Sequence, residues 1–270
     1  MIDIHCHILP GLDDGPESLD ESLDLCRTAA ADGVTCIVAT PHYKPGTYVF
    51  SGPRIIESVN VLMMAVRSAG LDIRILPGAE VTVSPEMSAD LERGGHLTLN
   101  HGRYFLAEFS PLSVPASWDT FLLSFLNAGL TPIIAHPERN AWFVHHPAAL
   151  AAAVQRGVKL QVTAMSLTGD FGDASQDFAI DLLRQNLVHV IASDGHSADF
   201  RPPRLSEAVG LAADVVGRQR AEALVTVNPL AIIEGRPLPA MEPAQYATPI
   251  KAQKTNWFKR LRNFSFAEIS

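Results

Sequence analysis

The feature that most constrains this chain is a rhythm. A short β-branched run, a polar loop, an amphipathic stretch closed by glycine and then the next run recur along its 270 residues. Runs that need neighbouring strands alternate with stretches that need one face covered, which is the βαβα signature of an α/β fold. The expected strands, rich in Val, Ile, Leu or Phe, are residues 2–6, 35–40, 73–78, 104–109, 132–135, 158–163 and 188–192. Their spacing of roughly 25 to 40 residues fits β/α units of ~30 or more residues. Seven such units with a closing helical region predict a β/α barrel short of the usual eight, with an open doubly wound sheet as the competing architecture.

Local signals support the rhythm. Ser18-Leu19-Asp20-Glu21 is a capping box, which satisfies orphan N–H groups at a helix start, and Gly33 ends that helix. Leu19, Leu23, Cys26 and Ala30 recur at helical spacing and predict its apolar face. Further stops are expected at Gly70, Gly94, Gly129 and Gly157. One domain at 1–238 is expected, followed by a Pro-containing linker and tail at 239–270. In that tail Lys251, Lys254, Lys259, Arg260 and Arg262 alternate with Trp257, Phe258, Leu261, Phe264 and Phe266. Residues 251–266 are therefore a candidate contact with a partner or an anionic membrane, against the plainer reading of a self-packing terminus.

Composition removes several function classes. A net charge of -8 repels a phosphate backbone and argues against a general nucleic-acid binder. Cys6, Cys26 and Cys36 are odd in number and form no CxxC pair, so neither a disulfide framework nor a zinc knuckle is expected. No basic leader precedes an apolar stretch and no segment has the length of a membrane span, which predicts a cytoplasmic protein. A Walker A loop, a GxGxxG after a strand and a GxSxG elbow are all missing. A thiolate phosphatase needs arginine six positions after its cysteine, where this chain has Leu12, Asp32 and His42.

What remains is a set of imidazoles and carboxylates at strand ends. His5 and His7 are two apart on the first strand and so share a face. His42 follows the second strand, Glu80 the third, Glu108 ends the fourth, His136 follows the fifth, and Asp194 and His196 follow the last. In a β/α barrel the carboxyl ends of the strands meet at one rim, so these distant residues are expected in one pocket. The loop Leu9 to Pro16 adds Asp13 and Asp14, either of which can swing back over that pocket. Imidazole and carboxylate donors without thiolate suit manganese, iron or zinc. Arg139 and Arg201 lie just beyond two of these positions, and a guanidinium fork fits phosphate oxygens. His96, His101, His145, His146 and His189 are expected to be structural.

These motifs, His5-Cys6-His7, Asp13-Asp14-Gly15, Thr40-Pro41-His42, Gly78-Ala79-Glu80, Glu108-Phe109, Ile134-Ala135-His136 with Glu138-Arg139, and Ile191 to His196 with Arg201-Pro202-Pro203, resemble the polymerase and histidinol phosphatase (PHP) superfamily. More closely, they look like the bacterial tyrosine-protein phosphatases of capsular and exopolysaccharide gene clusters, over residues 1 to 235. The resemblance implies a distorted seven-stranded (β/α)7 barrel, three divalent ions, usually manganese, and an autophosphorylating tyrosine kinase as partner. By matching position it implies that His5, His7, Glu80 and Asp194 hold one ion, with Glu80 bridging to a second held also by Glu108 and His136. Asp14, His42 and His196 would hold the third, and Arg139 and Arg201 would bind phosphate. The mechanism expected is in-line attack on phosphotyrosine by a hydroxide that the ions hold. Rival readings are a phosphatase of histidinol phosphate or another small molecule, and a noncatalytic kinase-binding regulator.

Overall fold

A computed structural model of the chain describes residues 1–93, 97–110 and 114–239. His96, the glycine stop at Gly94 and the tail from 240 onward, on which expectations were set, lie outside the described residues.

All strand pairings in the two sheets are parallel. One sheet has the order β1 (Ile2–Cys6), β2 (Cys36–Ala39), β4 (Arg74–Pro77). The other runs β3 (His42–Tyr43), β5 (Glu80–Thr82), β6 (Tyr104–Glu108), β7 (Thr131–Ala135), β8 (Lys159–Thr163), β9 (Val190–Ala192). These nine segments occupy seven positions, because β3 resumes β2 after Thr40-Pro41 and β5 resumes β4 after Gly78-Ala79. Pairing survives the interruption: Glu80 N donates to Pro41 O at 3.1 Å, and His42 stands in register with Glu80. The two outer strands β1 and β9 meet through a single bridge, Cys6 with Gly195, rather than a full ladder. The barrel is distorted where those sheets join.

Helices cover the outside. In α1 (Leu19–Ala31), Ser18 Oγ accepts from Glu21 N at 3.3 Å, but the reciprocal arm reaches one residue further back: Glu21 Oε2 accepts from Glu17 N at 2.8 Å. The buried stripe of α1 is Ser22, Leu25, Cys26 and Ala29, rotated from the face expected through Leu19 and Leu23. Ser22 tolerates that burial because its hydroxyl donates to Ser18 O at 3.1 Å. The main core lies between strands and helices, with Phe105, Phe143 and Leu62 fully enclosed. A second cluster fills the barrel interior around Ile4, Val38, Leu106, Ile133 and Val190 and is closed below by Ile232 and Ile233 of α11 (Val227–Ile233). This plug leaves only the opposite end, at the carboxyl ends of the strands, for a cavity. Among the described residues no helix is long and apolar enough to cross a membrane.

Candidate metal centre

The alternation of β1 turns Asp3, His5 and His7 to one side, and all three are fully buried. Around the two imidazoles the strand ends deliver the remaining donors. His5 Nε2 lies 3.4 Å from Glu80 Oε1 and 3.4 Å from Asp194 Oδ1; His7 Nε2 lies 3.4 Å from Glu80 Oε2. His136 Nε2 is 2.8 Å from Glu80 Oε1, and His42 Nδ1 is 3.0 Å from Glu80 Oε2 and 3.6 Å from Glu108 Oε2. Asp14 Oδ1 lies 3.5 Å from His42 Nε2 and 3.4 Å from His196 Nε2. All nine residues expected at the rim therefore stand together, with Glu80 at the centre.

Four overlapping donor sets emerge, each with ligand atoms within 4.8 Å of one another: His7, Asp14, His42 and His196; His5, His7 and Glu80; His5, His136 and Asp194; His42, Glu80 and Glu108. The grouping differs from the partition that the resemblance implied, since His42 rather than His136 joins Glu80 and Glu108. A cavity of about 230 Å³ opens over them, lined also by Phe109, Arg139, Asn140 and Arg201. A larger cavity of about 600 Å³ beside Val83, Pro115, Trp118 and Phe121 is apolar and carries none of the donors.

The electrostatics call for cations. Burial works against the charge on Glu80, yet His5, His136 and His42 outweigh it and hold the carboxyl well below its usual range. Asp194 is likewise lowered against its burial by His5, His136 and Arg201. Burial raises Glu108, and the neighbouring charge of Glu80 adds to the shift. Three buried atoms of the cluster, His42 Nδ1, Glu80 Oε2 and His196 Nε2, make no hydrogen bond. Lone pairs left unmatched in a packed interior are costly, and divalent ions would satisfy all three. The donor set thus fits such ions.

A ring of outer partners aims the imidazoles; of these the sequence reading named only Asp13, as one of two loop carboxylates able to reach the pocket. Asp13, a turn residue beside the favoured Asp14, is buried behind the cluster: its Oδ2 accepts from His7 Nδ1 at 2.6 Å and from His42 N at 2.8 Å. Asp13 raises the His7 imidazole well above its ordinary range despite burial. Because Asp13 engages Nδ1, Nε2 is the atom that His7 would offer to an ion. Gln161 Oε1 does the same for His5, 2.9 Å from Nδ1. Gln161 was visible as the one amide in an apolar strand, and Asp3 as the third polar residue of the same alternation as His5 and His7. Asp3 accepts from Ser193 N and Oγ and from His5 N, tying β1 to the loop that carries Asp194. Gly15 lets this packing occur, since a Cβ there would stand 2.6 Å from His7 O.

Both arginines reach the cavity from its side. Arg139 Nη1 and Arg201 Nη2 donate to the same oxygen, Asp194 Oδ2, the latter at 2.7 Å, and Arg201 Nη2 also lies 3.1 Å from Asp194 O. Arg139 sits on the 3₁₀ turn Pro137–Arg139, which Glu138 anchors by accepting from Thr163 N and Ser166 Oγ at 2.9 and 2.7 Å. Among the described residues the four other histidines stand apart: His189 precedes β9 and accepts from Leu160 N at 3.2 Å, and His146 stacks on Trp142 at the start of α6 (Pro147–Gln155).

Comparisons with known proteins agree with this arrangement. The family model described as capsular polysaccharide synthesis, CpsB/CapC, matches residues 1–234. The tyrosine-protein phosphatase YwqE of Bacillus subtilis (strain 168) is 35% identical over 209 residues, covering 77% of this chain and 82% of YwqE. A crystal structure from work on YwqE of Bacillus subtilis and CpsB of Streptococcus pneumoniae, described as metal-dependent tyrosine phosphatases, superposes with a TM-score of 0.87 at 32% identity, covering 92% of this chain and 100% of that one. Histidinol phosphate phosphatase from Lactococcus lactis shares the fold, with a TM-score of 0.53 at 15% identity over 82% of this chain and 94% of that one. A match that runs through every strand and every rim residue leaves one conclusion: the chain belongs to the CpsB/CapC family of capsular polysaccharide synthesis proteins.

Proposed function

We propose that the chain is a metal-dependent protein-tyrosine phosphatase of the PHP superfamily, acting in the cytoplasm on a phosphotyrosine-bearing kinase that controls capsular or exopolysaccharide synthesis. The observation that carries this reading is the clustering of nine imidazole and carboxylate side chains, seven of which line one cavity of about 230 Å³ together with two arginines, while His5 and His7 stand behind it. His5, His7, Asp14, His42, Glu80, Glu108, His136, Asp194 and His196 would hold three divalent ions, manganese being our choice. Such ions supply Lewis-acid charge and lower the pKa of a coordinated water for in-line attack at phosphorus.

The chain's own groups do the rest. Arg139 and Arg201 meet at the cavity wall, where their forks fit the outer oxygens of a phosphoryl group and counter the charge that grows there. Asp13 and Gln161 engage the Nδ1 atoms of His7 and His5, so that Nε2 of each would face the ions. A phenolate leaves readily, so the site needs no strong protein acid. The test is turnover of a phosphotyrosine peptide and of histidinol phosphate by manganese-loaded protein, with and without chelator. Chelator-sensitive hydrolysis that favours the peptide is expected, and His136→Ala or Asp194→Ala should lower it roughly 100-fold or more, beyond the 10–100-fold typical of an outer partner. Preference for histidinol phosphate would overturn the substrate, and near-normal turnover in both variants would overturn the site.

A further inference from the structure

The two arginines present a problem that Asp194 alone does not solve. Two like charges converge on a single carboxylate oxygen, and in the proposed function that carboxylate also serves the metal cluster, where His5 and His136 compete for its charge. Arg139 is tied to that oxygen and Arg201 to it and to Asp194 O, so both long side chains depend on one residue while each is about a quarter exposed. A second support is present on their other side. The guanidinium carbon of Arg139 stands 4.3 Å from the centroid of the Phe171 ring, and that of Arg201 stands 5.9 Å from the same centroid. Both lie within the range at which a ring face attracts a cation.

The chain goes to some length to put that ring there. Phe171 lies between α7 (Ala164–Thr168) and α8 (Asp173–Arg184), and the glycines on either side, Gly169 and Gly172, have φ of 92° and 85°, a region that other residues rarely adopt. Gly172 N donates to Gly169 O at 2.8 Å and Asp170 N to Met165 O at 3.0 Å, which closes a tight, braced turn with Phe171 at its tip. An aromatic residue on a rigid turn, half-buried and facing two cations, is placed for those cations rather than for the core.

We infer that Phe171 is a positioning residue for the phosphate clamp: its ring is a shared platform that holds Arg139 and Arg201 against the cavity and thereby sets the affinity for the phosphoryl group. The ring keeps water from one face of each guanidinium and leaves the N–H edges free to meet phosphate oxygens. Its hold does not depend on the ions, so the clamp stays formed whether or not Asp194 is engaged elsewhere. This inference rests on the phosphate-binding role proposed for the two arginines.

The experiment measures binding of inorganic phosphate by calorimetry and by competitive inhibition, in manganese-loaded wild type, Phe171→Leu and Phe171→Trp. Leucine keeps most of the bulk and loses the charged ring face. Phe171→Leu should weaken phosphate binding by roughly 5- to 30-fold, the effect of one or two cation–π contacts, and raise KM more than it lowers kcat. Phe171→Trp should stay within about threefold of wild type, because tryptophan offers the better face. In an Arg139→Ala background the leucine change should cost clearly less, since one of its two cations has gone. Unchanged phosphate affinity in Phe171→Leu, or equal losses in the leucine and tryptophan variants, overturns the platform. Should Phe171→Leu fail to fold, Gly172→Ala, which shifts the ring without altering it, carries the same expected loss and the same refutation. Calorimetry reads phosphate binding without turnover, so an inactive wild type that still binds phosphate would count against the proposed function and not against Phe171.

Discussion

Asp13→Asn is the most informative single change, because it keeps shape and removes charge at a residue that touches no substrate. Three donors meet this carboxylate: His7 Nδ1 at 2.6 Å and His42 N at 2.8 Å on Oδ2, and Gly15 N at 3.0 Å on Oδ1. An amide offers one oxygen and one NH2, so it cannot serve both sides. If its oxygen takes the Oδ2 position, the NH2 faces Gly15 N–H and one buried donor loses its acceptor, at a cost of about 1–3 kcal/mol. If the amide flips, the NH2 faces His7 Nδ1, which must then give up its proton. The proton moves to Nε2, the atom 3.4 Å from Glu80 that would meet a cation.

Either arrangement weakens the cluster, the first by softening the acceptor behind His7 and the second by blocking His7 itself. The expected loss in metal affinity is roughly 10–100-fold, or about 1.4–2.7 kcal/mol, the usual cost of an outer partner to a ligating histidine. Calorimetric titration of chelator-treated protein with manganese measures it, with circular dichroism as a check that the fold is retained. Asp13→Glu should not rescue, because the extra methylene has no room behind a side chain that is 1% exposed. A wild-type metal isotherm in Asp13→Asn would refute the idea that this carboxylate aims His7 and would leave Asp13 a plain turn residue.

Two further outcomes concern stability. Burial pushes the His189 imidazole down to about 3, so it stays neutral in the folded protein while the unfolded chain takes up a proton near pH 6.5. Stability held above that pH is lost as pH falls from about 6.5 toward about 3, amounting to about 2 kcal/mol at pH 5. Urea unfolding at pH 7 and pH 5 should therefore show a larger loss in wild type than in His189→Asn, and equal losses would contradict the assignment. His136 has φ 33° and ψ 54°, a left-handed backbone that strains any side chain. In chelator-treated protein His136→Gly should be about 1 kcal/mol more stable than His136→Ala, although both lack the imidazole; the reverse order in thermal unfolding would show the backbone to be unstrained.

The architecture was legible because it depends on long, repeated patterns. All seven expected strand positions are occupied, and their ends differ by a residue or two from the runs of β-branched residues. The short continuations β3 and β5 were not legible, since two or three residues carry no period, and the expected strands stop at Thr40 and Gly78. Rim residues showed themselves by following strands, a position that topology alone converts into proximity. Asp13 did not, because a carboxylate in a Pro/Gly loop looks the same whether it faces water or His7. Phe171 was equally silent: a lone aromatic between glycines has no periodicity, and only the folded chain puts two arginines beside it.

The seam of the barrel and the candidate metal centre are held by the same bonds. Asp194 N donates to His5 O and His7 N to Gly195 O, each at 2.8 Å, and these join β1 to the loop after β9 where no ladder exists. They also fix the distance between the two imidazoles of β1 and the carboxylate of Asp194. Asp194 accepts a φ of 53° to make them, a conformation that would suit glycine better, and His136 at the end of β7 is strained in the same sense. Regular strands would relieve that strain and close the sheet, but they would carry both side chains past the cavity. Distortion of the barrel at this edge is thus what brings donors from β1, β7 and β9 to one place, and loosening the seam should loosen the site with it.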